Sequence, residues 1–334
     1  MDIKEFAQKI GVSPTTISHA ISGRGRVSDA TRELVLQKMK EYGYTPNLNA
    51  RRLVTGRSFL VALVHMDREF LAHIFTMELV RAFLAPLKAR GYDLLLNVTA
   101  ESTVEYSGLL ERVDSRAVDG SIILGEAEIP GELLRDLGRS YHPCVAISHY
   151  RVGSMPHVGS VVLGLRSGAR QVAELLVKQG HTNIGFLGLD SADQMPRFFA
   201  EELQNLGIRL SDSNVMIEGH DAEDGAEGLR KMMSQPAPPT AVFARTDVLA
   251  LGAIGEAKAM GIDVPGSLSV VGHDDLPLVS LMQPSLTTLR RDRMHIATSA
   301  VDMLFQLMED PGAMVAERLI DSKLVLRQSA GPVK

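Results

Sequence analysis

From Ser58 onward the chain alternates short apolar runs with amphipathic stretches, and that alternation constrains the fold before any motif is considered. The runs FLVALVH, DLLLNV, GSIILG and PCVAIS are followed by NIGFLGL, NVMIEG, TAVFAR and LSVVGH. Apolar residues at helical spacing lie between most of them. A strand that reads as a continuous apolar run is covered on both faces, as in a parallel sheet flanked by helices. Eight runs over the 276 residues after Ser58 predict two doubly wound lobes. In such sheets ligands gather beyond the carboxyl ends of the strands. That rule nominates His65 and Asp67, Asn97, Glu126, Ser148 and His149, Asp190, Arg245 to Asp247, and His273 to Asp275, facing one another across a cleft. Each has a plainer reading beside it: Asp247 could cap the helix expected at 248–260, and His149 and His273 could be solvated loop residues.

The first 58 residues have a different texture. The whole chain carries a net charge of −5, but residues 1–58 hold ten Lys/Arg against five acids, a net of +5, and the rest carries −10. A small basic head on an acidic body suggests that only the head meets a polyanion. Within it, Ile3, Phe6, Ala7 and Ile10 form one apolar helical face, which Gly11 ends. Val12 can turn inward, Ser13 is a good N-cap, and Pro14 suits the first helical position. The second helix buries Ile17, Ala20 and Ile21 and leaves Thr15, Thr16, Ser18, His19 and Ser22 on its other sides; Gly23 and Gly25 end it. Ser28 caps a third helix offering Leu34, Val35, Met39 and Tyr42 to a core, stopped by Gly43.

A helix, a glycine-containing turn and a short polar-faced helix make a helix-turn-helix, whose second helix enters the major groove. A small bundle for protein contact is the other reading of the same pattern. Beyond it, GYTPNLNARRLVTGRS places Asn47, Ala50 and Leu53 at i, i+3 and i+6, with Arg51 and Arg52 beside them. The segment is too short and polar for an isolated helix. It could fold against DNA with Leu53 as a minor-groove wedge, or serve as an ordinary linker.

The stretch IKEFAQKIGVSPTTISHAISGRGRVSDATRELVLQKMKEYGYTPNLNARRL resembles the headpiece and hinge of the lactose-repressor/galactose-repressor (LacI/GalR) family of bacterial transcription regulators. The matching elements are IKEFA, GVSPTTIS, V-S-x-x-T-R at Val27 to Arg32, GYTPN and AR-x-L. The resemblance implies that Pro14, Thr15 and His19 read the major groove, that Thr16 and Ser18 touch the DNA backbone, and that Leu53 wedges between base pairs. Many relatives have Arg where this chain has His19, so no relative's operator carries over.

Further on, the chain from Pro239 to Asp292 is similar to the family's C-terminal lobe, with A-x-x-D-x-x-A-L-G, S-V-V-G-x-D-D and P-x-L-T-T elements. The family fold implies two lobes like those of periplasmic sugar-binding proteins, joined by three crossovers, with an effector in the cleft. By position, Asp274 keeps an effector-contacting aspartate, Ser148 lies where Asp is frequent, and Thr246 where Asn is usual, with Asp247 retained. The family's effector-binding arginine position falls on Met195, with Arg197 two residues along. The usual V-D-N reads Val162, Leu163, Gly164, Leu165, and Arg291 and Arg293 replace neutral positions. A plain hexose therefore fits poorly. Arg245, Arg291, His65 and His273 near the cleft point to an anionic effector, since guanidinium pairs with carboxylate or phosphate. The same groups could instead pair internally with Asp274, Asp275 and Asp292.

Enzyme signatures are thin: there is no phosphate-binding glycine loop, G-x-S-x-G elbow or H-E-x-x-H, and the ten histidines lack metal-ligand spacing. No cofactor or metal is expected. Cys144 lies inside an apolar strand, where a packed thiol is the expectation. MDIKEFAQKI has no secretory pattern and no run approaches the ~20 residues of a spanning helix, so a cytoplasmic protein without membrane contact is expected.

These readings combine into a helix-turn-helix headpiece at residues 1–46, a hinge at 47–57 and a two-lobed α/β effector and dimerisation domain at 58–334. The first lobe is expected at about 58–158 plus 291–320, and the second at about 159–290 plus 321–330. Function is expected to be a sequence-specific, homodimeric repressor on a pseudo-palindromic double-stranded operator. A sugar, sugar derivative or anionic metabolite in the cleft would modulate it. LRQSAGPVK lacks the leucine heptads of a tetramerising coil. The rivals are a solute-binding protein, or an α/β enzyme with an accessory DNA-binding head.

Overall fold

The computed structural model describes all residues except 23–25, 46–51, 53–54, 66–73, 99–110, 112, 114, 126–128, 154, 189–192, 218, 311, 314 and 334. Met1–Phe59 and Leu60–Lys334 form two compact units.

The first unit opens with α1 (Ile3–Ile10), α2 (Pro14–Ser22) and α3 (Asp29–Tyr42). Asp2 and Glu5 form a reciprocal capping box at α1, and Gly11 and Gly43 end α1 and α3 in left-handed conformation at φ 71° and 62°. Ser28 caps α3, accepting from Thr31 N. Phe6, Ala7, Ile17, Ala20, Val35 and Tyr44 make the core, with Phe6 and Tyr44 stacked 4.3 Å apart. Leu34 and Tyr42, expected inside, are 41% and 42% exposed. Val35 and Met39, one turn apart, set the inward face of α3; Leu34 lies beside it, and Tyr44 beyond the helix end fills the place expected for Tyr42. The Tyr42 ring instead lies beneath Lys9 and Lys38.

The second unit holds two six-stranded sheets. The first runs β2 (Asp93–Val98), β1 (Leu60–His65), β3 (Gly120–Gly125), β4 (Cys144–Ser148), β5 (Val158–Gly164), β11 (Arg318–Asp321), all parallel. The second runs β7 (Val215–Ile217), β6 (Ile184–Gly188), β8 (Ala241–Ala244), β9 (Ser269–Asp274), β10 (Thr287–Arg290), β12 (Lys323–Val325), parallel except for β12. In each, the strand order reverses beside the first strand, at β1/β3 and β6/β8. All eight expected runs are strands. Four strands were not anticipated: β5, β10, β11 and β12.

Among the described residues, seven α-helices accompany the sheets: α4 (Ile74–Ala89), α5 (Gly131–Arg139), α6 (Leu165–Lys178), α7 (Met195–Asn205), α8 (Ala222–Met233), α9 (Asp247–Ala259) and α10 (Arg293–Glu309). Ala62, Val64, Ile123, Leu134, Leu137 and Cys144 belong to the core of the first lobe; Leu165, Val172, Phe186, Phe199 and Phe243 belong to that of the second. Packing of α8 on α9 is close enough that a Cβ on Gly252 would meet the Ala222 carbonyl oxygen.

Because α6 packs on α7 and β12, while α10 packs on α4 and β3 to β5, the chain passes between lobes three times. The passages fall at Gly164–Leu165, at Arg291–Asp292 and at Ser322. The first lies beyond the expected boundary near 158, because β5 belongs to the first sheet. A Cβ on Gly164 would meet the exposed Asp321 carboxylate of the neighbouring passage, which would have to turn aside.

Candidate functional site

Two faces gather chemistry. On α2, Ile17 and Ala20 are fully buried, whereas Pro14, Thr15 and Ser18 are exposed and Thr16 and His19 half-buried. Ser13 Oγ accepts from Thr16 N at 3.0 Å and lies 2.9 Å from Thr16 Oγ1, so both side chains fix the start of the helix. The free N–H groups of that first turn favour a phosphate. Hydroxyls and an imidazole remain for base edges and backbone. Asn47, Ala50 and Leu53 lie outside the described residues.

The second face is where the strands of the two lobes end. Arg245, directly after β8, is 3% exposed and is held on three sides. Its Nε lies 3.0 Å from Asp193 Oδ2, its Nη1 2.9 Å from His273 Nδ1 and its Nη2 3.3 Å from His149 Nε2. Arginine has donors and no acceptor, so each of those imidazole nitrogens presents a lone pair. His149 Nδ1–H then donates to the Leu163 carbonyl (3.1 Å), and His273 Nε2–H to Ser322 Oγ (3.3 Å). Burial, with Arg245 and Arg291 nearby, holds the His273 pKa well below the usual imidazole value. His149 follows β4 in the first lobe and Arg245 follows β8 in the second, so this contact joins the lobes.

Beside it, Asp274 and Asp275 take positive φ values of 125° and 55°, a conformation costly for a side-chain-bearing residue. Four arginines hold the turn. Arg291 Nη2 is 2.8 Å from Asp274 Oδ1. Arg290 and Arg327 bond the two carboxylate oxygens of Asp275 at 2.6 Å each, and Arg293 donates to both backbone carbonyls. Burial pushes the Asp275 carboxyl upward, but its bonds to Arg327 and Arg290 prevail and leave its pKa below the usual value. The guanidinium carbon of Arg291 sits 3.3 Å from the Phe75 ring centroid.

Thr246, rather than Asp247, caps α9, accepting from Leu249 N at 3.2 Å. Asp247 is fully buried and accepts from Thr288 Oγ1 (2.6 Å) and Leu276 N (2.7 Å). Burial, then the neighbouring Asp274, raises its pKa to about 7.

The structure brings together Arg245, His149, His273, Asp274 and Arg291, with Asp193 and Phe75 as members that sequence reasoning missed. Phe75 is the second residue of α4 and Asp193 lies two residues before α7, so neither is at a strand end; Asp193 Oδ1 accepts from Met195 N at 3.0 Å. His65 ends β1 and is buried, and Ser148 ends β4, where its hydroxyl accepts from Tyr150 N at 3.1 Å. Met195 and Arg197 do not join this cluster. Met195 is apolar and fully buried in the second core with Phe186 and Phe199; Arg197 is exposed and lies over Phe198. The internal pairing allowed by the sequence is realised for Arg291 with Asp274, whereas Asp275 takes Arg290 and Arg327, and Asp292 caps α10. Asp67, Glu126 and Asp190 lie outside the described residues. Among those described, no group of three His, Cys, Asp or Glu could hold a metal, and no helix is long and apolar enough to cross a membrane.

A helix-turn-helix followed by two such lobes defines a DNA-binding transcription regulator. Residues 2–47 match the bacterial regulatory proteins of the lacI family, and residues 173–330 match a periplasmic binding protein-like domain. The chain belongs to the lacI family. The HTH-type transcriptional repressor CytR of Escherichia coli (strain K12) is 27% identical over 333 residues, 98% of this chain and 95% of that one. The HTH-type transcriptional repressor PurR of Pasteurella multocida (strain Pm70) is 28% identical over 331 residues, 98% of each. The lac repressor dimer bound to operator and the anti-inducer ONPF shares the fold at a TM-score of 0.83, with 24% identity over 99% of both chains.

Proposed function

We propose that the chain is a dimeric repressor whose hold on a pseudo-palindromic operator is set by a small molecule bound between its lobes. The observation that carries the reading is the exposed row Pro14, Thr15 and Ser18 on a helix anchored by Ile17 and Ala20. Pro14, Thr15 and His19 would read bases, Thr16 and Ser18 would hold phosphates, and Asn47, Ala50 and Leu53 would form the hinge that enters the minor groove. Ile74, Met77 and Leu84 on α4, and Leu96 on the edge strand β2, are each at least 41% exposed and supply apolar area for a twofold contact. On this reading the protein works in the cytoplasm and lies on the nucleoid when bound.

His65, Ser148, Thr246, Asp274 and Arg291 would form the effector site, together with the strand-end residues Arg245 and His149 that touch across the lobes. Arg245 and Arg291 each already face a carboxylate, which favours a ligand that exchanges hydrogen bonds over one drawn in by net positive charge. A sugar, sugar derivative or anionic metabolite is separated by thermal shift against sugars, sugar phosphates and organic acids. The primary test is selection of bound DNA with the full chain. Two inverted half-sites are the expected product, and recovery of unenriched DNA would overturn the reading.

A further inference from the structure

We infer that Phe75 and Asp274 form a seat for a planar, donor-rich cation, and that the chain's own Arg291 occupies it as a tethered stand-in for ligand. This inference rests on the reading of the cleft as an effector site and names the chemistry that this site accepts.

Phe75 belongs to α4 in the first lobe, and Asp274 ends β9 in the second. Arg291 leaves β10 at the passage between the lobes and is 6% exposed. At 3.3 Å from the ring centroid its guanidinium has room only if it lies nearly flat on the ring. At that distance the ring quadrupole attracts the cation strongly once water is excluded. Nη2 of the same guanidinium lies 2.8 Å from Asp274 Oδ1. One planar group is therefore stacked on the first lobe and ion-paired to the second, as a ligand closing two lobes would be.

The turn that presents Asp274 is fixed independently of Arg291. Arg293 donates to the carbonyls of Asp274 and Asp275, while Arg290 and Arg327 bond the Asp275 carboxylate. The seat thus stays formed when its occupant is removed. A tethered occupant competes at a high effective concentration. A free ligand displaces it only if it reproduces the flat cationic or amino-bearing face and adds contacts of its own. Guanidinium, amidinium and protonated amino-heterocycles have that chemistry; a hexose lacks the flat face.

The experiment is chemical rescue of the full chain, with ethylguanidinium as the probe. Arg291→Ala empties the seat, and Arg291→Gln empties it of charge while keeping most of the bulk. Ethylguanidinium at saturating concentration should raise the Tm of the variants by about 2–4 °C and leave the wild type unmoved. Ethylammonium, which is not planar, should give a smaller rise, and adding Asp274→Asn should abolish the response. An equal shift in wild type and variants, or no shift in either variant, overturns the seat. Selection of operator DNA with the wild-type chain reads the regulator assignment separately, so failure of one does not imply failure of the other.

Discussion

Arg245 of the second lobe donates to His149 of the first across 3.3 Å, and that single contact is anchored on both sides. On one side Asp193 and His273 fix the guanidinium; on the other the Leu163 carbonyl fixes the imidazole. Leu163 precedes the first passage between lobes, and Ser322, which accepts from His273, forms the third. The polar network therefore runs through the points about which the lobes would move. A ligand that changes it can change the relation of the lobes, which is the coupling a two-site regulator needs.

Removing Arg245 should be costly because its partner is buried with it. The Asp193 side chain is 6% exposed and would be left as an uncompensated buried charge. Arg245→Ala should therefore lower stability by about 3–5 kcal/mol. Arg245→Met with Asp193→Asn, which removes both charges at near-constant volume, should recover much of that loss. Denaturant unfolding of the two singles and the double checks it; additive losses would mean that the pair does not act as a unit.

Asp247 gives a pH signature of definite sign. Its pKa is about 7 in the fold against 3.8 as the ordinary value, so between these limits the folded state binds the proton that the unfolded state has released. Stability contributed by the protonated carboxyl is complete below pH 4, falls as pH rises, and is lost above about pH 7. The span corresponds to roughly 4 kcal/mol. Asp247→Asn removes the titration, so the variant should gain on the wild type as pH increases from 4 to 7.5. Unfolding midpoints across that range test the slope of the difference.

His142 should act in the opposite direction. Burial lowers its pKa to about 4 from 6.5, a shift that Asp119 only partly opposes, and its Nε2 pairs with Ser121 Oγ at 2.9 Å. The unfolded chain takes up a proton below pH 6.5 that the folded chain refuses until about pH 4. Stability falls through that window by roughly 3 kcal/mol. His142→Gln should reduce the acid sensitivity, as measured by Tm at pH 7 and pH 4.5.

How much of this was legible in the sequence depended on burial. Runs such as LVALVH and SVVGH became strands because a strand covered on both faces must be apolar along its length. The strand β5 was obscured by glycine and serine inside it. Gly159 is required there because a Cβ would collide with Met303 of α10. The short strands β10, β11 and β12 carry Thr, Arg, Lys and Asp; β11 and β12 lie at sheet edges, where one side is solvated and no continuous run is needed. The strand-end rule picked out Arg245, His273 and Asp274, which the fold brings side by side. Phe75 and Asp193 escaped because they sit at helix starts rather than strand ends, and their meeting with Arg291 and Arg245 is a tertiary contact that local pattern does not encode. Met195 showed the opposite limit: its position matched a motif, but an apolar side chain went to the core.

The head offers a prediction about specificity that stability measurements would not reveal. His19 is half-buried on α2, between exposed Ser18 and fully buried Ala20, so its ring borders the exposed face without being part of the core. An imidazole that meets a base edge discriminates among bases, whereas a hydroxyl that meets phosphate holds every sequence alike. His19→Ala should therefore relax or change the selected base at one position in each half-site, at a cost of about 1–3 kcal/mol against the original operator, and leave non-specific binding unchanged. Ser18→Ala should weaken operator and random DNA by similar factors and reduce the salt dependence of both. Selected consensus sequences and titrations at two salt concentrations distinguish the two behaviours. An unchanged consensus for the His19 variant would remove that residue from the reading face.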